Sequence, residues 1–321
     1  MLEIINNGRD LLVTHIKDVD GLGCAVLTKL VSPSTGIILA DIEELPLIIK
    51  RIENKGYSNI FITDLAINEE LAKYISTNPH LKYAVHHFDH HKPNYDASLY
   101  PFVNSVVEIK GIKESGTSLY YKYLCDTYPN NEKLKTATMQ KFVKGIQKRD
   151  TTNELEDETY KIGGNLTQLL VYYGEEEFIK VFTSKLLSGC GLFDEKEQRI
   201  IAAKETEMNN YIAECDKHLY FIKIDGLNVG VSISSMYRTE LGIKLSRKYP
   251  EVDYILIVDY ARECFSLRTV KNNIDLRSIA LKYGGGGHTQ AAGIPFKTES
   301  IPLLELVNQE IKKEIEKDKA L

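Results

Sequence analysis

The chain has 321 residues, of which 43% are hydrophobic and 26% charged, a composition typical of a globular protein with room for two domains. Its net charge of −5 argues against the broad basic surface of a protein that binds long nucleic acids. No apolar run reaches the roughly 20 residues that span a bilayer, and the N-terminus lacks signal-peptide features, so we expect a cytoplasmic protein. The five cysteines share no metal-binding spacing and are expected to be reduced thiols.

Apolar runs that favour β-strands alternate with helix-like segments through the first ninety residues. Strands are predicted at 11–14, 37–40, 59–63 and 81–85. Helices are predicted from residue 22, over 45–52 and from residue 69, the last with Asn68 as its N-cap. This alternation predicts an α/β fold with a parallel sheet, right-handed crossovers and flanking helices.

Polar residues follow three of these strands. They are His15, Asp18 and Asp20 after the first, Asp64 after the third, and His86, His87, Asp89, His90 and His91 after the fourth. Because ligands bind beyond the carboxyl ends of parallel strands, we expect these side chains to converge in a mixed His/Asp metal site. A His-rich surface loop and an Asp20 helix cap are the alternatives, and Gly21 is expected to allow a tight turn.

The middle of the chain is predicted to be helical. A helix that begins near Gly116 either contacts an anion through its first N–H groups or is simply capped. A helix from about Asn131 ends at Asp150, which is either a further site carboxylate or an exposed acid paired with Arg149. Residues 163–188 and 192–215 are also helix-like, and the polar second stretch suggests a connector. The predicted divisions are a domain over 1–190, a connector over 191–216 and a smaller α/β domain over 217–321.

In the smaller domain, strands at 220–224 and 229–233 flank Asp225-Gly226, which predicts a hairpin. A helix over 240–246, a strand pair at 254–258 and 264–268, a short helix at 279–281, a strand from 291 and a final helix over 301–317 follow. Four glycines, 284–287, precede His288. Their N–H groups are expected to form an anion nest beside His288, and Arg268 either adds a bidentate contact or faces solvent.

Taken in order, these motifs resemble the DHH phosphoesterase superfamily with its C-terminal DHHA1 subdomain. The matching segments are His15, Asp18-Val19-Asp20-Gly21, Asp64, Asp89-His90-His91, Asp150 and Gly284-Gly285-Gly286-Gly287-His288. The likeness covers nearly the whole chain and is greatest to members that degrade very short oligonucleotides, the nanoRNase branch. In many members the first histidine stands four residues before the first aspartate, whereas here the spacing is three.

The resemblance implies a centre of two Mn²⁺ ions, with Mg²⁺ or Co²⁺ as substitutes. Carried over by position, one ion is held by His15 and Asp18, the other by Asp20, His90 and Asp150, and Asp64 bridges them. The resemblance also implies two catalytic residues: Asp89, which orients the imidazoles, and His91 near the scissile phosphate. Phosphate contacts are expected from His91, Arg268, Gly285, Gly286, Gly287 and His288. The resemblance implies no role for His86 and His87.

The implied activity is hydrolysis of short single-stranded RNA or DNA to nucleoside 5′-monophosphates by a hydroxide activated between the two metals. Linear or cyclic dinucleotides and 3′-phosphoadenosine 5′-phosphate are alternative substrates. A nucleotide-binding regulatory module without turnover is the non-enzymatic alternative. No membrane partner is expected, and a homodimer is left open.

Overall fold

The computed structural model describes the backbone of residues 2–4, 8–152 and 154–318. It divides the chain into two compact units, Met1–Ile201 and Ala202–Leu321. This boundary lies inside the connector predicted at 191–216, and the divisions at 190 and 216 stay predictions. None of the described helices combines the length and apolar character needed to cross a membrane.

The first unit is built on a five-stranded sheet with strand order β1-β3-β2-β4-β5. Its strands are β1 (Leu2–Ile4), β2 (Asp10–His15), β3 (Gly36–Ala40), β4 (Asn59–Thr63) and β5 (Val85–Phe88). Strands β2 to β5 are parallel, as the alternation of strands and helices predicts. Strand β1, which the sequence did not predict, adds an antiparallel edge beside β3.

Helices cover both faces of this sheet. They are α1 (Val19–Val31), α2 (Leu45–Ile52), α3 (Glu69–Thr77), α4 (Gly116–Thr127), α5 (Ala137–Thr151), α6 (Glu158–Tyr173) and α7 (Glu175–Ser188). Leu12 and Phe61 pack in the core formed with α1, α4 and α5, whereas Val13 and Ile62 pack in the core formed with α2 and α3. Burial on both faces explains why these strands are almost continuously apolar.

The predicted strand at 81–85 is wrong by about four residues, because the chain is in turn conformation through residue 84 and the strand is Val85–Phe88. His86 and His87 therefore belong to a strand instead of a loop. The helix predicted from Asn131 is also wrong in its start. A separate 3₁₀ turn over Glu132–Lys135 comes first, and Thr136 then caps α5. A short ribbon of β6 (Glu108–Ile109) and β7 (Ile112–Lys113) precedes α4.

The second unit has a six-stranded mixed sheet in the order β12-β13-β11-β10-β9-β8. Helix α8 (Glu195–Lys217) leads into it. The other elements are β8 (Tyr220–Ile224), β9 (Leu227–Ile233), α9 (Arg238–Lys248), β10 (Tyr254–Asp259), β11 (Cys264–Arg268), α10 (Leu276–Leu281), β12 (Gly286–Gly287), β13 (Ala291–Pro295) and α11 (Ile301–Asp318). The predicted hairpin turn has positive φ at both Asp225 and Gly226, as a two-residue primed turn requires.

Candidate metal centre

The parallel register brings three site residues to one level at the carboxyl edge of the first sheet. Thr14 pairs with Thr63, and Thr63 pairs with Phe88. The next residues along the chain are His15 after Thr14, Asp64 after Thr63 and Asp89 after Phe88. Because the three strands are adjacent, residues separated by up to 74 positions in sequence become neighbours, as the sequence predicted.

Asp18 connects β2 to α1 and caps the helix. Its Oδ1 accepts hydrogen bonds from the backbone N–H groups of Asp20 (3.1 Å) and Gly21 (3.2 Å), while its Oδ2 lies 3.2 Å from His15 Nδ1. The alternative of Asp20 as the cap is therefore wrong, and α1 begins at Val19. Gly21 does not provide a turn with positive φ. It is needed because a Cβ there would lie 2.1 Å from the His15 carbonyl oxygen.

Asp20 and Asp150 meet at His90. The His90 Nε2 lies 3.3 Å from Asp150 Oδ2, 3.5 Å from Asp64 Oδ1 and 4.0 Å from Asp20 Oδ2. Asp150, at the end of α5, thus faces this group of side chains. Its neighbour Arg149 donates to the Tyr160 hydroxyl and lies over the Tyr160 ring. Asp150 is an exposed residue whose carboxylate faces His90, and its role as a site carboxylate stays a prediction.

Asp64 lies between the two halves of the cluster. Its side chain is 3% exposed, with one oxygen 3.5 Å from His15 Nδ1 and the other 3.5 Å from His90 Nε2. Its backbone has φ of 53°, an uncommon conformation for a residue other than glycine. The buried Oδ2 accepts no hydrogen bond of good geometry from the described residues. A buried carboxylate oxygen in this condition is suited to a cation.

Ligand atoms in this region form three overlapping groups, each with all its atoms within 4.8 Å of one another. The groups are His15, Asp18 and Asp64; Asp20, His90 and Asp150; and Asp64, Asp89, His90 and His91. The first two correspond to the two ligand sets that the sequence resemblance implied. These oxygen and imidazole donors, without a thiolate, suit Mn²⁺ or Mg²⁺.

The electrostatics of the cluster also suit a cation. Burial contributes most to raising the pKa of Asp64 well above its usual range, and the negative charges of Asp20 and Asp18 add to this effect. Burial and Asp20 do the same to the pKa of Asp150. Burial opposes protonation of His15, but the adjacent Asp18 and Asp64 carboxylates raise its pKa to about 10. The raised carboxylate pKa values reflect burial and repulsion among crowded acids, which a bound cation would relieve.

Asp89 and His91 form a separate pair at the rim of the cluster. The buried Asp89 carboxylate accepts a hydrogen bond from His91 Nδ1 at 2.8 Å. This bond raises the pKa of His91. Burial acts to raise the pKa of Asp89, but this bond and the charges of the neighbouring imidazoles together lower it. The His91 side chain is 48% exposed, so Asp89 holds an accessible imidazole in a fixed orientation.

His86 and His87 have structural contacts. His87 is 2% exposed and its Nε2 lies 3.0 Å from the Leu65 carbonyl oxygen, which tethers the segment after Asp64. His86 stacks on Phe61, and its Nε2 contacts Asn59. Of the four clustered histidines, the two within β5 therefore pack against neighbouring elements, while the two beyond it reach the site. The family resemblance gave no role to His86 and His87, but the local pattern did not separate the two pairs because the strand was predicted to end too early.

The start of α4 contributes a contact that sequence reasoning did not find. The N–H groups of Gly116 and Thr117 donate to the Asp20 carboxylate at 2.6 and 2.9 Å. Ser115 also caps the helix. The sequence did suggest that this helix start could contact an anion, but it gave no sign that the anion is a side chain of the same chain.

In the second unit, the glycine run is partly a strand, because Gly286 and Gly287 pair with β13. The N–H of Gly285 donates to Ala280, and that of His288 donates to Ala291. The predicted nest of successive amides is therefore wrong. Since His288 and Ala291 exchange hydrogen bonds in both directions, ladder alternation leaves the N–H of Gly287 pointing outward from the edge strand. Gly287 has φ of 133°.

Arg268 and His288 lie at the same end of this sheet. Arg268 pairs with Ala291, and Ala291 exchanges backbone hydrogen bonds with His288, so two strand spacings, roughly 10 Å, separate the backbones of Arg268 and His288. The Arg268 guanidinium donates to the Leu267 carbonyl at 2.8 Å and to Thr239 Oγ1 at 3.3 Å.

Comparison with known proteins gives two relatives of moderate sequence identity. No protein-family profile matches the chain. The chain is similar to oligoribonuclease NrnB of Bacillus subtilis, with 28% identity over 298 residues that cover 90% of this chain and 73% of the relative. It is also 26% identical, over 252 residues, to the uncharacterized protein R106 of Acanthamoeba polyphaga mimivirus, covering 70% of this chain and 53% of that protein.

Two solved structures share the fold. A DHH domain from a member of the s1p family of ribosomal proteins superposes with a TM-score of 0.62 at 14% identity, covering 96% of this chain and 87% of that one. Exonuclease RecJ bound to manganese superposes with a TM-score of 0.56 at 11% identity, covering 92% and 88%. At these identities the likeness concerns the fold alone.

Proposed function

We propose that this chain is a metal-dependent phosphoesterase of the nanoRNase branch of the DHH/DHHA1 superfamily, and that it hydrolyses short oligonucleotides to nucleoside 5′-monophosphates with Mn²⁺. The observation that carries the proposal is the buried Asp64 carboxylate, which lies 3.5 Å from both His15 and His90. The similarity to an oligoribonuclease over 90% of the chain supports the substrate class.

Two ions would be held by the two ligand groups on either side of Asp64, which belongs to the first group and has Oδ1 3.5 Å from His90 Nε2 of the second. His15 and Asp18 would complete one site, and Asp20, His90 and Asp150 the other. When bound, the ions would supply an activated water and neutralise charge on the phosphate. Asp64 is suited to the shared position because its two oxygens face different halves of the cluster.

His91 would contact the phosphate that is cleaved. Its Nδ1–H donates to Asp89, so the ring is fixed with Nε2 on the opposite side. Since the hydrogen bond to Asp89 raises the pKa of His91, the protonated ring is favoured and Nε2–H can donate to a phosphate oxygen. In the second unit, Arg268, His288 and the outward N–H of Gly287 would bind a further phosphate.

The test is a time course with 5′-labelled RNAs of about two, five and twenty nucleotides, cyclic dinucleotides and 3′-phosphoadenosine 5′-phosphate, with Mn²⁺ or a chelator. Asp64→Asn is the test variant, and Asp126→Asn, which changes an exposed acid on α4, is the matched control. We expect rapid conversion of the shortest RNAs to monophosphates by the wild type and the control only.

Other outcomes would overturn parts of the proposal. Turnover of only a cyclic dinucleotide or the bisphosphate would retain the metal chemistry and replace the substrate. Mn²⁺ binding without turnover of any compound would favour a nucleotide-binding regulatory module. Undiminished activity in Asp64→Asn would remove this cluster from the reaction.

A further inference from the structure

We propose that Thr117 and the first turn of α4 position Asp20 as a metal ligand, a role that rests on the proposed metal centre. Asp20 lies in the first turn of α1, 96 residues before the start of α4, and its side chain is buried. Three hydrogen bonds join it to that distant helix start. The inferred role is positioning, because Thr117 acts on the centre through the Asp20 carboxylate.

The contacts hold both ends of the Asp20 residue. Gly116 N–H donates to Oδ2 at 2.6 Å, and Thr117 N–H donates to Oδ1 at 2.9 Å. The Thr117 hydroxyl donates to the backbone carbonyl of Asp20. With one donor on each carboxylate oxygen and one on the carbonyl, rotation of the side chain and movement of its backbone are both restricted.

This arrangement fixes the direction in which the carboxylate can accept a cation. Each carboxylate oxygen has two lone-pair directions, and the α4 amides use one on each. On the remaining side, Oδ2 lies 4.0 Å from His90 Nε2, within the group formed with Asp150. The partial positive charge of the helix N-terminus also stabilises the carboxylate in a cluster rich in acids. Such secondary hydrogen bonds orient ligands and tune metal affinity.

Two glycines make the close approach of α4 feasible. A Cβ at Gly116 would lie 2.6 Å from Asp64 Cβ and 3.1 Å from Asp20 Oδ2. A Cβ at Gly23 on α1 would lie 2.4 Å from Thr117 Oγ1. Larger residues at these positions would displace α4 from the cluster, so the close contact depends on both glycines.

The helix start is itself braced, which makes it a rigid support. Ser115 Oγ accepts from Ser118 N–H, and the Ser118 hydroxyl donates to the buried Glu114 carboxylate at 2.6 Å. Gln147 of α5 donates to the Lys113 carbonyl at 2.8 Å. Gln147 lies one helical turn before Asp150, so the support for Asp20 is connected to the helix that carries another ligand of the same group.

The experiment compares Mn²⁺ titrations of the full chain by calorimetry. Thr117→Val removes the hydroxyl at nearly constant volume, and Thr117→Ser restores it. Thr28→Val is the matched control, because the buried Thr28 also bonds across the α1–α4 interface, to Tyr120, but farther along α1. We expect Thr117→Val to weaken one of two Mn²⁺ sites by about 10- to 100-fold, with Thr117→Ser close to wild type.

The control separates positioning from packing. Thr28→Val is expected to lower the melting temperature while leaving both Mn²⁺ affinities unchanged. If Thr117→Val does not fold, Thr117→Ala removes the same hydroxyl without a new methyl contact. Unchanged titrations of Thr117 variants, or equal weakening in Thr28→Val, would overturn the role of Thr117 alone. A wild-type protein that binds no Mn²⁺ would overturn the proposed function itself, and this role with it.

Discussion

Replacing Asp64 with asparagine should make the metal-free protein more stable and inactive. The substitution keeps the shape of the side chain but removes a buried negative charge. Burial and the charges of Asp20 and Asp18 raise the pKa of Asp64, which shows that the folded chain disfavours the ionised form when no cation is bound. The residue on which the proposed activity most depends is thus predicted to reduce the stability of the metal-free fold.

The size of the effect follows from the spacing of the carboxylates. Ligand atoms of Asp18 and Asp64 lie within 4.8 Å of each other. At an effective dielectric constant of about 20, two unit charges at this distance repel by about 3 kcal/mol. Partial exposure of Asp18 and the nearby His15 reduce this, so we expect a gain of about 1–3 kcal/mol, or roughly 2–10 °C in melting temperature for a unit of this size.

The pH dependence gives a sharper test. Because the pKa of Asp64 is higher in the folded than in the unfolded chain, the folded state binds its proton more tightly. The stability of the metal-free wild type should therefore fall as the pH rises from about 4 through the folded pKa. Asparagine has no such titration, so the advantage of the variant should grow with pH over this range.

The assay is thermal unfolding with a chelator at pH 5 and pH 8, repeated with Mn²⁺. In Mn²⁺ the wild type should gain more stability than the variant, since only the wild type retains the shared carboxylate. An Asp64→Asn protein that is less stable than wild type at both pH values with the chelator would refute the reasoning. It would mean that attraction to His15 and His90 exceeds the repulsion among the acids.

Three further predictions concern other parts of the molecule. His87→Phe should lower the free energy of unfolding in urea by about 1–3 kcal/mol, because the buried Leu65 carbonyl loses its hydrogen-bond partner. Mn²⁺ binding should persist in this variant, and its loss would indicate that His87 is a metal ligand. Gly163→Ala should destabilise the fold by about 1–3 kcal/mol, since the added Cβ would lie 2.2 Å from the Gly145 carbonyl oxygen. Gly164→Ala, which meets no atom within 4 Å, should stabilise the helix by about 0.5–1 kcal/mol. Equal melting temperatures of the two variants would contradict this packing. Arg268→Lys should weaken dinucleotide binding about tenfold in a titration, and unchanged affinity would exclude a phosphate contact.

The order of elements was largely predictable from the sequence. Strands β3 and β4, helix α2, the Asn68 cap and the hairpin at Asp225-Gly226 lie where local patterns predict them. These signals are local because apolar runs, capping side chains and turn residues act over a few positions. The predicted position of β5 was wrong because a run of histidines is typical of a loop. In the fold, His86 stacks on Phe61, and the buried His87 contacts the Leu65 carbonyl.

By itself, the sequence determined the parallel-sheet topology and the residue types available to a metal. Topology places the ends of β2, β4 and β5 at one edge whatever their separation in the chain, so the convergence of His15, Asp64 and Asp89 could be inferred. Tertiary structure alone decided how individual side chains are used. Asp18 rather than Asp20 caps α1, and Asp20 instead accepts hydrogen bonds from α4. The hydrogen bonds to Asp20 depend on packing between segments nearly a hundred residues apart, for which no local pattern carries a signal.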